Sequence, residues 1–201
     1  MAAEARRRAQ RRTPALIGPH AVLHAVAVME ERLGAAETRA ILEDAQLAVL
    51  PTGQAMIPEF EALRLHRWLA LHDPAGAYEI AEEAGRRTAD YLIARRIPRA
   101  VVWLLRRLPP LLAAPLLMRA IDRHAWTFAG AGRFFAQGAW AFTIDRTAAD
   151  DPVIPPDSLF HWYAAVITRL YRELVAADCR CRVLGDLPGR PLARRFAVAR
   201  G

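Results

Sequence analysis

Two histidines stand where imidazole chemistry has the most to work with. His124 opens a segment in which Trp126 and Phe128 follow at a spacing of two, and Trp140 and Phe142 repeat the pattern further on. His161 heads the run His161-Trp162-Tyr163 at the start of a predicted helix. An imidazole in either place serves as a metal ligand or bonds a polar group of a bound molecule, or it is a structural or solvated side chain. Trp126, Phe128, Trp140 and Phe142 either wall an apolar slot or fill an ordinary sheet core. Arg95 and Arg96 close another predicted helix, where positive charge complements the macrodipole. Each guanidinium also matches a carboxylate in a bidentate fork. Glu59 and His66 lie about two helical turns apart, and no third side chain completes a metal or acid–base set.

The motifs of redox chemistry are missing from this inventory. Gly130-Ala131-Gly132 follows a predicted strand, but Arg133-Phe134-Phe135 continues into a second strand instead of a helix. That order does not support a Rossmann phosphate site. No P-loop occurs, and two cysteines are too few for an iron–sulfur cluster held by four thiolates. Flavin sites lack one universal motif and stay open. Cys179 and Cys181, two apart on a predicted strand, point the same way and are poorly placed to bond to each other. A structural zinc needs about four Cys or His ligands, and no partner histidines present themselves.

The elements that must position these residues are legible from periodicity. Val22, Val26, Met29 and Leu33 recur at helical spacing up to Gly34, and a second helix runs from about Ala35 to Leu47. Pro51-Thr52-Gly53 makes a turn. Pro58 to Leu71 reads as a helix with Phe60, Leu63, Trp68 and Leu71 near one face. Asp73-Pro74 caps the next helix, which runs to about Arg96. Ala100 to Met118 is the most apolar stretch, but Arg106 and Arg107 interrupt it and Pro109, Pro110 and Pro115 break it. A spanning helix needs about 20 predominantly apolar residues. Two short helices joined at the prolines fit better, buried as core or facing lipid. Ala125 to Ala131 and Phe134 to Ile144 show a period of two and predict an antiparallel pair of strands. Pro152 to Pro156 connects to a strong amphipathic helix from Asp157 to Val175. Cys179 to Leu184 and Arg195 to Ala199 predict closing strands, with a loop through Gly185, Pro188 and Pro191. Helices first and strands mostly later predict an α+β fold, with N-terminal helices packed on a small antiparallel sheet.

A chain of 201 residues fits one domain, expected over 15–201 after a disordered basic tail over 1–14. The net charge is +7, and every cation is arginine. Five of those arginines lie in the first 12 residues, so the remainder is only mildly basic. With no zinc finger and no RNA-recognition signature, nucleic acid is not an expected partner. The N-terminus lacks the apolar run of a signal peptide, and there is no disulfide framework, which points to the cytoplasm.

Five segments together resemble the bacteriochlorophyll 4-vinyl reductase family, the photosynthetic branch of the 4-vinyl reductase domain. They are IGPHAV (17–22), MIPEFEALRLHRWL (56–69), TADYLIARRIP (88–98), RHAWTFAGAG (123–132) and WYAAVITRLYRELV (162–175). TADYLIARRIP and HAWTFAGAG are the specific ones. The usual C-terminal pattern of the wider family is a cysteine, three residues, Gly-Asp, then a second cysteine before an aromatic strand. Cys181 to Asp186 matches the first half, and Arg194-Arg195-Phe196 departs from the second. The resemblance implies a small-molecule-binding α+β domain of bacteriochlorophyll synthesis. It implies a bound magnesium tetrapyrrole, a porphyrin or chlorophyllide intermediate, as ligand and no certain resident cofactor. Delivery to magnesium chelatase or another enzyme of that synthesis is one implied role, with peripheral contact to the photosynthetic membrane. Vinyl reduction by the chain itself, and a sensory ligand-binding module, are the alternatives. Under this resemblance His124 or His161 ligates the magnesium, Trp126, Phe128, Trp140 and Phe142 form the slot, and Arg95 or Arg96 pairs with a propionate.

Overall fold

A computed structural model describes residues 15–47, 49–146, 155–187 and 189–201, with backbone alone at 186 and 191. The basic segment 1–14 and most of the proline-rich connection before Asp157 lie outside the described residues.

The chain begins with a short strand, β1 (Leu16–Ile17), paired antiparallel with β2 (Ile57–Pro58). Between them run α1 (His20–Leu33) and α2 (Ala35–Asp44). Gly34 separates the two helices at φ 89°, a left-handed backbone that a side chain would strain. Then come α3 (Glu59–His72) and α4 (Pro74–Arg95). Asp73 caps α4 as its sequence announces, accepting from the Gly76 N–H at 3.0 Å, with Pro74 in the first turn. The proline-broken apolar stretch forms α5 (Arg99–Arg107) and α6 (Pro110–Arg123). A four-stranded antiparallel sheet follows, made of β3 (Arg133–Ala136), β4 (Ala141–Asp145), β5 (Cys179–Leu187) and β6 (Arg190–Arg200) in the order β3-β4-β6-β5. Between β4 and β5 lies α7 (Asp157–Leu174). The architecture is α+β.

Helix α7 is the centre of the molecule. One side packs on the sheet and another on α4, so Phe160, Tyr163, Ile167, Tyr171 and Leu174 are all buried. The α4–α7 approach is close because position 85 is glycine. A Cβ there would stand 2.6 Å from the Ala165 Cβ and 2.7 Å from the Trp162 carbonyl oxygen.

Four expectations need correction. The segment Ala125 to Ala131 is not a strand. His124 ends α6, Ala125–Thr127 makes one turn of 3-10 helix, and the chain then turns through Gly132. Local hydrogen bonds hold it: Thr127 N–H donates to the His124 carbonyl and Ala129 N–H to that of Ala125. Large and small residues alternate there as in a strand, but the backbone already has partners within the turn. The hairpin lies one step further on, β3 to β4, with Gly138 in its turn at φ 82°. The second hairpin is longer than its periodicity suggested, because pairing continues past a bulge to Leu187 and Arg190. In α3 the inward face is Ala62, Leu63, Leu65, His66 and Leu69, while Phe60 and Leu71 are exposed. Nor are α5 and α6 simply core. Leu105, Ala113, Ala114, Leu117 and Met118 point inward, and the opposite side of each helix is open.

Candidate ligand-binding site

Phe128 and Phe142 belong to a continuous aromatic layer between the sheet and α7. Phe142, 1% exposed, stacks on Phe196 at 4.5 Å between ring centres and on Phe134 at 5.0 Å. Phe128 meets Phe134 edge-on at 5.7 Å, and its carbonyl accepts a 2.8 Å bond from the Tyr163 hydroxyl. The protein's own rings fill this layer. Trp140 lies at the other end, 5.7 Å from Tyr171, whose hydroxyl donates to the Ala139 carbonyl at 2.6 Å. Trp126 stands apart from all three and is 65% exposed.

His124 sits at the C-terminus of α6 with its ring exposed. Its Nδ1 lies 2.8 Å from the Ala120 carbonyl oxygen. A carbonyl only accepts, so Nδ1 carries the hydrogen, and neutral imidazole then keeps its lone pair on Nε2. Metal-binding histidines are oriented by this kind of bond. The same helix face bears Leu112, Leu116 and Ala120, each four residues from the next and all exposed, so an apolar row leads to His124. On α5, Val101, Trp103 and Leu104 are exposed as well, and the Arg107 guanidinium lies 4.9 Å over the Trp103 ring. Arg106 anchors α5 to α7, donating to the Glu173 carbonyl at 3.1 Å and to its carboxylate at 3.0 Å. Arg95 and Arg96 are exposed where α4 turns toward α5, and Arg96 lies 5.9 Å over Tyr91.

His161 borders a different opening. Its ring meets Tyr78 edge-on at 4.5 Å. With Asp157, Phe160, Val183, Gly185 and Arg194 it lines a cleft of about 320 Å³. The Arg194 guanidinium covers Phe160 at 5.0 Å and reaches Asp157 at 3.8 Å. The structure thus pairs His124 with Trp126 and an apolar row, and His161 with Tyr78 and a cleft in which Arg194 faces Asp157. Phe128 and Phe142 are in the core between the layers.

Sequence reasoning named Glu59 and His66 without the partners that enclose them, and passed over a half-buried group at His20, His24 and Tyr91. Glu59 and Arg146 form an ion pair at 5% and 3% exposure. The second Glu59 oxygen accepts from the Ala131 N–H at 3.1 Å. Gly130, at φ 58°, lies so close to this carboxylate that a Cβ would fall 2.3 Å from its Cδ. That glycine-rich turn was the signal, since it allows a backbone to approach a charge closely. His66 is fully buried, with Nδ1 3.2 Å from the Ser158 hydroxyl and Nε2 facing the Ala21 backbone short of full hydrogen-bond geometry. Burial pushes its imidazole down to about 4. His20, His24 and Tyr91 form the third group, His20 lying 4.1 Å from Tyr91 and 5.1 Å from His24. Thr88 donates its hydroxyl to the Ala84 carbonyl and so accepts from His24 Nδ1 at 2.9 Å. Burial, then the neighbouring His20 and Arg87, push His24 down to about 4. Cys179 and Cys181 are free and buried, and burial pushes the Cys181 thiol up to about 12. Among the described residues no three His, Cys, Asp or Glu side chains come together as a metal cluster.

No family model matches the chain. Over 163 residues it is 37% identical to the bacteriochlorophyll synthase 23 kDa chain of Cereibacter sphaeroides, covering 79% of this chain and 78% of that one. The protein of the same name from Rhodobacter capsulatus is 36% identical over 161 residues, covering 79% and 75%. Among solved structures, the chain is similar in fold to a mutant form of an Fe(II) unliganded H-NOX protein from K. algicida. The TM-score is 0.61 at 9% identity, over 92% of this chain and 97% of that one. A structure from work on heme distortion in the H-NOX family gives a TM-score of 0.52 at 11% identity, over 90% and 93%.

Proposed function

This chain belongs to the family of the bacteriochlorophyll synthase 23 kDa chain, and on that premise we propose that it binds a magnesium tetrapyrrole intermediate of bacteriochlorophyll synthesis and hands it to an enzyme of that synthesis. The observation that carries the reading is His124. It offers an exposed imidazole with its tautomer set by the Ala120 carbonyl, at the end of an apolar row and two residues from an exposed tryptophan. Magnesium in a porphyrin takes an axial nitrogen or oxygen ligand, and the flat ring needs apolar and aromatic surface. Arg123 beside it, and Arg95 and Arg96 at the α4 terminus, supply cations for propionates. Heme is named with a solved protein of similar fold, and this agrees with a tetrapyrrole ligand. His161, with Tyr78 and Arg194 nearby, is the second candidate ligand.

Vinyl reduction by the chain itself is the second reading. It is favoured by the likeness of TADYLIARRIP and HAWTFAGAG to the 4-vinyl reductase family. Incubation with a divinyl substrate and NADPH decides it, since monovinyl product in excess over protein would establish a reductase.

Titration of the purified chain with a magnesium porphyrin tests the binding reading. Saturable quenching of tryptophan fluorescence is expected below about 100 μM, that is, binding of about −5.5 kcal/mol or stronger. His124→Ala should change the spectrum or affinity of the bound pigment and leave Tm within about 2 °C, because an exposed side chain contributes little to stability. His72 is the control. Its Nδ1 makes the same 2.8 Å bond to a carbonyl four residues back, but its ring stacks on Trp68 at 4.1 Å. His72→Ala should leave the pigment spectrum unchanged. Unaltered binding by His124→Ala would move the ligand role to His161.

A further inference from the structure

We propose that the open side of α5 and α6 docks the chain on an anionic lipid bilayer, with the helices lying in the plane of the interface. The apolar component is large. Trp103 is 59% exposed, Leu111 80% and Leu112 55%, with Leu104 and Leu116 nearly as open. Side chains of this size seldom stay bare on two consecutive helices unless something covers them. α5 is amphipathic in the manner of interfacial helices, carrying aromatic and aliphatic residues on one side and arginine beside them. Its tryptophan is the residue that favours the boundary between headgroups and acyl chains.

Charge names the occupant. Arg99, Arg107, Arg119 and Arg123 lie on these two helices and make no ion pair among the described residues, whereas Arg106 is held by Glu173. Asp122 is the one acidic residue of the two helices. A second copy of the same face would set like charge against like charge, which an isologous dimer does not tolerate. Anionic headgroups meet the arginines while the apolar row enters the acyl boundary. Depth is limited by length. α6 has 14 residues, and no described helix is long and apolar enough to cross a membrane. The arginines on both helices also keep the pair near the headgroups.

Flotation of the full chain with pigment-free vesicles tests this. Binding is expected to phosphatidylcholine vesicles with about 30% phosphatidylglycerol, to be weaker without the anionic lipid, and to fall with added salt. Trp103→Glu with Leu112→Glu should lower partitioning by about tenfold or more, because both side chains must enter the interface. Both are exposed, so Tm and circular dichroism should be unchanged. The arginines at positions 6, 7, 8, 11 and 12 attract anionic lipid by themselves. Their replacement by glutamine should therefore leave binding that still depends on Trp103, with a blue shift of its fluorescence on vesicles. Equal flotation of wild type and the double glutamate variant would overturn the proposal. So would a dimer abolished by Trp103→Glu without any vesicle binding. No pigment is present, so His124→Ala should float like wild type, and failure here would leave the tetrapyrrole reading standing.

Discussion

At the residue scale, one carboxylate holds three separate parts of the chain. Glu59 begins α3, pairs with Arg146 beyond β4, and accepts from the backbone at Ala131. Its own N–H donates to the Ala15 carbonyl at 2.8 Å. Glu59→Gln keeps an acceptor for Ala131 but leaves Arg146 buried and uncompensated. A loss of about 3–5 kcal/mol is expected, read as a fall in Tm of roughly 10 °C. Arg146→Met added to Glu59→Gln should restore a large part of it. His66 gives a second prediction, with its sign set by burial. The folded imidazole stays neutral down to about pH 4, while the unfolded one protonates near 6.5. Between those values the unfolded chain holds the extra proton, so stability is full above 6.5 and falls as pH drops toward 4. The whole effect is about 3 kcal/mol. Urea unfolding from pH 7.5 to 5 should show it, and His66→Leu should flatten the slope by about 1.4 kcal/mol per pH unit. Neither residue was legible as a buried group. A charged side chain at a helix start and a lone histidine on a helix look solvated until the neighbours that enclose them are known.

At the element scale, the helices were legible because caps and breakers agreed with periodicity. Asp73-Pro74 starts α4, Gly34 divides α1 from α2, and Pro109-Pro110 divides α5 from α6. Alternation misled at Ala125 to Ala131, because Trp126 and Phe128 satisfy a period of two while pointing to solvent and to the aromatic layer. Sequence spacing cannot register that a helix C-terminus holds the next turn by hydrogen bonds. The α4–α7 contact was equally hidden, since Gly85 in a helix reads as a weak point. Its role as a spacer can be tested with Gly85→Ala. Alanine gains about 1 kcal/mol of helix propensity. Against that, backbone at Trp162 and a methyl at Ala165 must move, and overpacking costs about 1–3 kcal/mol. A net loss of up to about 2 kcal/mol in denaturant unfolding is expected.

At the scale of the whole molecule, the α+β class followed from element order, and the membership in the family of the bacteriochlorophyll synthase 23 kDa chain bears out the link to bacteriochlorophyll synthesis but not the 4-vinyl reductase family itself. The site was only partly legible. His124 and Trp126 stay together on the surface, whereas Phe128 and Phe142, adjacent to them in pattern, pack into the interior. Which aromatic residues face outward depends on where α7 fills the space, and a period of two holds no information about that. The late position of α7 also shapes how the protein is made. The buried face of α4 closes on α7, and the bridge across them joins Asp90 to Arg169, 79 residues later. At a synthesis rate of ~5–20 residues per second, that separation is roughly 4–16 s. For that interval the buried face of α4 waits for the helix it packs on, and a nascent chain depends meanwhile on whatever shields that face.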